Sequence, residues 1–158
     1  MYINADDIEA SLRKNHKIEL LQYRIIASTK EIQNYFKKSQ FSPIKSNKPD
    51  LWKSFQCSDN FLEINPSQPI DSYVAADLAE FFRSKMMENK ISYSFETVMS
   101  YHRKIDLIEL AKSKGYTIYL YISARKIRKL ILIGSRTEWN KMGMVFLNLK
   151  FEIDTRPV

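Results

Sequence analysis

The chain has 158 residues, 44% hydrophobic and 13% aromatic, which is enough apolar mass for one domain with its own core. The net charge of +7 is concentrated in residues 124–158, with eight Lys and Arg against three Asp and Glu, whereas residues 1–123 hold 17 against 15. The single Cys57 excludes an internal disulfide, two isolated histidines (His16, His102) give no metal-ligand cluster, and no apolar run approaches the roughly 20 residues that span a bilayer.

The N-terminal residues Met1-Tyr2-Ile3-Asn4 lead straight into Asp6-Asp7, a pattern unlike a signal peptide, so a cytoplasmic protein with no membrane partner is expected. Tyr2 to Asn4 is a short strand candidate. Asp6-Asp7 then opens a helix to about Lys14, with acids where the helix dipole favours them. Over residues 18–38 the apolar set Leu20, Leu21, Ile25, Ile32, Tyr35 and Phe36 predicts one long amphipathic helix. Residues 39–70 hold four of the five prolines together with Trp52, Phe55 and Phe61, and are expected to form a loop-rich insertion. Trp52 and Phe55 could stack on a base or sugar, or could form the insertion's own small core. Asp71 or Ser72 caps a further helix to about Glu88, with Val74, Leu78, Phe81, Phe82 and Met86 on its buried side.

Residues 92–123 read strand, turn, helix, turn, strand. Ser92-Tyr93-Ser94-Phe95 suits a strand, and Glu96-Thr97 is a polar pair at its carboxyl end, where open α/β sheets place their chemistry. Ile105, Leu107, Ile108, Leu110 and Ala111 then fall at helical spacing, Gly115 stops the helix, and the uncharged run 117–122 suits a strand buried on both faces. A strand, helix and strand with short connections predict a right-handed parallel unit. His102 at the helix start has no partner in the sequence and reads as a surface histidine.

The string S-F-E-T-V-M-S, followed by K-I and A-K-x-x-G-Y before an apolar strand, resembles the zeta-toxin family of P-loop kinases, and the opening MYINADDIE resembles that family's second strand. The resemblance covers residues 1–15 and 70–123. It implies an α/β fold, a partial parallel sheet of the adenylate-kinase-like type with helices on both faces. It also implies transfer of phosphate from ATP, with Mg²⁺, to a sugar hydroxyl of a nucleotide-sugar such as UDP-N-acetylglucosamine, and an antitoxin as a possible partner. By motif, Asp6 matches the catalytic general base, and Glu96 with Thr97 matches the substrate-binding pair. Glu80 does not align with the family's further glutamate and is left out of the site.

The family's ATP site is a Gly-rich loop ending in G-K-[ST]. Here the only glycines are Gly115, Gly134 and Gly143, none followed by Lys, so the chain is expected to be an inactive remnant that starts at the family's second strand and lacks its loop. In the family's strand order the loop-bearing strand lies between the two strands of residues 92–123. Its loss leaves three outcomes: the strands close up, another segment fills the slot, or the chain is not stable alone.

After Ser123 the resemblance stops. Codons permitted for residues 125–139, read from their third base, can encode KDPEININRVQNRM, which restores the family's D-P-x-I-N and R-V pattern. A frameshift near Ser123 is therefore expected, making 124–158 a basic tail, out of frame and poorly packed. The alternative is a small basic interaction protein whose tail binds nucleic acid or another anionic partner. Because Tyr, Trp and Lys are not interleaved there as a stacking platform, nucleic acid is not the expected partner.

Overall fold

The computed structural model describes residues 1–98, 103–124, 127–132 and 148–154, which form two compact units, Asn4–Asn89 on one hand and Met1–Ile3 with Lys90–Val158 on the other.

The Asn4–Asn89 unit begins with α1, Ala5–Asn15. Asn4 is its cap, the side-chain oxygen accepting the Asp6 N–H at 2.9 Å, and Asp6, Asp7 and Arg13, Lys14 complement the dipole at its two ends. His16 ends the helix in the left-handed region (φ 52°), its N–H returning to the Leu12 carbonyl. The single long helix expected over residues 18–38 does not form. Instead, Lys17–Glu19 is a strand, β2, followed by a 3₁₀ turn at Leu20–Tyr23 that Arg24 closes with φ 55°. The helix α2 starts only at Thr29 and runs to Lys38. Its start is a capping box, with the Ser28 hydroxyl accepting the Glu31 N–H and the Glu31 carboxylate accepting the Ser28 N–H.

The insertion expected to be loop-rich is also more ordered than its prolines suggest. It contains a helical turn, α3 (Ser42–Lys45), a 3₁₀ turn (Leu51–Ser54), and a hairpin of β3 (Phe55–Ser58) and β4 (Phe61–Ile64). The hairpin turns on Asp59-Asn60, both with positive φ (46° and 67°), the conformation that two-residue hairpin loops favour. β4 is the middle of an antiparallel sheet in the order β2-β4-β3. Side chains of α2 cover the outer edge of β3: the Thr29 hydroxyl accepts the Cys57 N–H at 2.9 Å and donates to the Cys57 carbonyl at 3.3 Å, and Gln33 donates to the Phe55 carbonyl at 3.0 Å. An edge held this way offers few free groups to another strand. Phe36 and Phe55 stack at 4.2 Å, both buried.

Helix α4, Ser72–Glu88, is the core of this unit and is capped by Asp71, whose carboxylate accepts the Val74 N–H. Val74, Leu78, Phe81, Phe82 and Met86 are all buried, as their spacing predicts, and α1 packs against it through buried Ile8 and Leu12. Buried Asp77 reaches from α4 to the start of α3, accepting the Ser39 hydroxyl at 2.6 Å and the Ser42 N–H at 3.0 Å.

The other unit is a five-stranded mixed sheet in the order β1-β5-β8-β6-β7, where β1 is Tyr2–Ile3, β5 Tyr93–Val98, β6 Thr117–Ala124, β7 Ile127–Leu132 and β8 Asn148–Asp154. The sheet is mixed: among the described residues β1 and β5 form the parallel hydrogen-bonded pair, and the other three pairings are antiparallel. β5 and β6 do run in the same direction, since each is antiparallel to β8, but they are not neighbours. A further segment, β8, lies between them. That segment comes from the region expected to be a poorly packed tail: β8 pairs along six residues of β5 and seven of β6, and its Ile153 and Asp154 are buried. Asp154 also accepts the Ser92 hydroxyl at 3.0 Å.

The helix between β5 and β6 is α5, Arg103–Ser113, with Ile108 and Ala111 buried and β6 beside it. Gly115 stops it as expected, at φ +84°: the Gly115 N–H bonds the Lys112 carbonyl and the Tyr116 N–H the Ala111 carbonyl, the paired closure in which a residue without Cβ is preferred. Ile3, Tyr93, Phe95, Ile118 and Ile153 are buried members of this unit's core.

Candidate functional site

The residues singled out in the sequence fall in both units. Asp6 lies in the first turn of α1, exposed, where two features suit a carboxylate: the free N–H groups of the helix start and the dipole's positive end. It is not itself the cap, a role taken by Asn4, so its own carboxylate is not needed to start the helix. Glu96 and Thr97 are on β5 in the other unit. The strand does not end at them, as the polar pair suggested, but continues to Val98, because β8 gives Glu96, Thr97 and Val98 backbone partners in Lys150, Leu149 and Asn148. Glu96 is nonetheless exposed, whereas Tyr93 and Phe95 of the same strand are buried, the alternation of a strand with one covered face.

The β1 and β5 pair sets the geometry around Glu96. Tyr2 is level with Ser94 and Ile3 with Phe95, and the Ser94 N–H bonds the Met1 carbonyl at 2.7 Å. Because the pair is parallel, both strands run to the same end of the sheet, and Glu96 is the first β5 residue beyond the last β1 partner. The chain of β1 leads through the single residue Asn4 into α1.

Other residues weighed in the sequence have structural roles or fall outside the description. His102 lies outside the described residues. Glu80 forms an ion pair with Arg83 at 3.5 Å on α4. Phe55 belongs to the core, while half-buried Trp52 has the Lys37 ammonium 3.8 Å from its ring centre and that of Lys53 at 5.4 Å. Burial pushes the Cys57 thiol up to about 11, with Glu31 and Glu63 adding to the shift, so it stays protonated and is no nucleophile at neutral pH.

The described residues do not fit ATP with Mg²⁺. A phosphate cradle needs a glycine-containing turn from strand to helix. The β1 to α1 turn is Asn4 alone, and Gly115 is used to end a helix rather than start one. Among the described residues no group of three or more His, Cys, Asp or Glu could hold a metal ion, and no helix is long and apolar enough to cross a membrane.

Sequence reasoning missed the edge cover by Thr29 and Gln33, the Lys37 and Trp52 contact, and the hairpin. Two signals were present: the S-x-x-E spacing of Ser28 and Glu31, and the Asp59-Asn60 dipeptide between short apolar runs. No family model, curated protein or solved structure matches the chain.

Proposed function

We propose that these residues are the acceptor-side part of a zeta-toxin-like kinase, which binds a nucleotide-sugar of the UDP-N-acetylglucosamine type and lacks the means to phosphorylate it. What supports the reading is the parallel pairing of β1 with β5. The N-terminal strand, which leads to Asp6, and the strand that bears Glu96 and Thr97 are neighbours running to one end of the sheet. In this reading Asp6 accepts the proton of the sugar hydroxyl, a task suited to an exposed carboxylate at a helix start. Glu96 accepts hydrogen bonds from sugar hydroxyls, and Thr97 can donate or accept one. A nucleotide-sugar, and an antitoxin that covers its site, are the partners this function implies.

The departure from a parallel sheet bears on activity more than on binding. β8 stands where the resemblance would put the strand that carries the phosphate loop, so the donor half has no place in the described sheet. Calorimetric titration with UDP-N-acetylglucosamine tests the proposal. Saturable binding that falls at least tenfold in Asp6→Asn and in Glu96→Gln is expected, and heat that is absent, or unaffected by both substitutions, refutes it.

A further inference from the structure

The Asn4–Asn89 unit is electrically balanced, with twelve basic and twelve acidic side chains, yet residues 37–53 hold five lysines and one acid, Asp50. Lys48 is engaged by Asp71 and the Pro69 carbonyl, and Lys53 pairs with Asp50 at 3.0 Å in an exposed contact that water and salt weaken. Among the described residues no carboxylate pairs with Lys37, Lys38 or Lys45, all three exposed. In the same stretch Trp52 is a large aromatic that the core does not fully bury. Leu51 and Phe55, its neighbours on the 3₁₀ turn and β3, are almost fully covered, while the Trp52 ring remains half-buried with lysines of two elements converging on it. A half-buried indole with two ammonium groups at its ring, that of Lys37 without a carboxylate partner, has the two contacts a nucleotide chain needs: a surface for a base and donors for its phosphates.

We infer that Trp52, Lys37 and Lys53, with Lys38 and Lys45 beside them in sequence, form a binding face for single-stranded nucleic acid. A base displaces the Lys37 ammonium from the indole, and that ammonium moves to the adjoining phosphate, trading a ring contact for a full charge. Several lysines in one stretch fit a repeating phosphate backbone better than one mononucleotide. The sequence hid this face because fifteen positions separate Lys37 from Trp52, and only the packing of α2 on the 3₁₀ turn brings them together. The face needs neither Asp6 nor Glu96, so it stands or falls apart from the acceptor-site reading.

The test is fluorescence anisotropy of a labelled oligothymidylate titrated with the full chain at several salt concentrations. Binding is expected, with Trp52→Ala weakening it roughly fivefold or more, the low end of base-aromatic stacking. Lys37→Ala should lower the slope of log affinity against log salt by about 0.7, one single-strand phosphate contact. Trp52→Phe, which keeps a ring, should restore most of the affinity and guards against a mere folding defect. Lys14→Ala, on α1, should leave binding unchanged. No binding, equal loss in Lys14→Ala and Lys37→Ala, or a Trp52→Ala chain that is folded and binds as tightly as the parent overturns the inference. Tighter binding of free thymidine monophosphate than of the oligomer also overturns it.

Discussion

Replacing Thr29 with Val tests whether α2 holds the outer edge of the small sheet. The change is nearly isosteric and removes only the hydroxyl that accepts the Cys57 N–H at 2.9 Å and donates to the Cys57 carbonyl at 3.3 Å. A net hydrogen bond is worth about 0.5–1.5 kcal/mol, and more when a covered partner is left without one. The shorter bond counts nearly in full and the longer one for less. Cys57 is half-buried, so water replaces part of what is lost. The expected cost is therefore about 1.5 kcal/mol, or a fall of about 6–12 °C in the melting of this unit. Thermal denaturation followed by circular dichroism gives the stability, and amide hydrogen exchange at Cys57 gives the location. Thr29→Ser keeps the hydroxyl and should stay within about 0.5 kcal/mol of the parent. If Thr29→Val melts with the parent and the Cys57 amide exchanges no faster, the edge is not held by this side chain and the account of the small sheet is wrong.

Three further outcomes follow from the same geometry. Glu31 is held down at about 2, chiefly by its hydrogen bond from Lys85 and then by those from Ser28. Its folded value is below its unfolded one, so its stabilisation is complete above the unfolded value and is lost as pH falls from about 4.5 to about 2. The Glu31 side chain is 47% exposed, which limits the contribution to about 1 kcal/mol or less. Acid titration of stability should show this loss in the parent and a smaller one in Lys85→Met; identical curves contradict the assignment. Asp77→Ala strips the acceptor from the Ser39 hydroxyl and the buried Ser42 N–H, and should cost about 2–3 kcal/mol in urea denaturation, whereas a cost under about 0.5 would show that α3 is anchored by other contacts. Radiolabelled ATP incubated with the chain and UDP-N-acetylglucosamine should give no product above a denatured control, since phosphoryl transfer relies on a loop, Lys and metal set that the described residues do not provide; product formation would overturn this.

Local signals were legible in the sequence, and long-range pairings were not. α1, α4 and α5 follow from caps and apolar spacing, and the Gly115 closure follows from one glycine after an apolar helix, all set within a few residues. The segment after His16 misleads because Leu20, Leu21 and Ile25 fit a helical period equally well. What decides it is pairing of Lys17–Glu19 with the hairpin more than forty residues later, which local spacing does not encode. The sheet misleads for the same reason. β5, α5 and β6 are each where the sequence predicts them, and the two strands share a direction, but the slot between them is filled by a strand from the far end of the chain. Of the site, the exposure of Glu96 and the position of Asp6 in a helix's first turn were readable from charge and alternation, while the continuation of β5 past Thr97 depended on β8.

The central proposal is that Asp6 and the Glu96-Thr97 pair each touch a nucleotide-sugar. Amide hydrogen exchange of the chain with and without saturating UDP-N-acetylglucosamine tests it most directly, because protection reports where the ligand acts. Slowed exchange is expected both in the first turn of α1, around Asp6, and at the carboxyl-terminal half of β5, from Glu96 to Val98, with neither segment protected in Glu96→Gln. Protection confined to other segments, or to only one of these two, would contradict it.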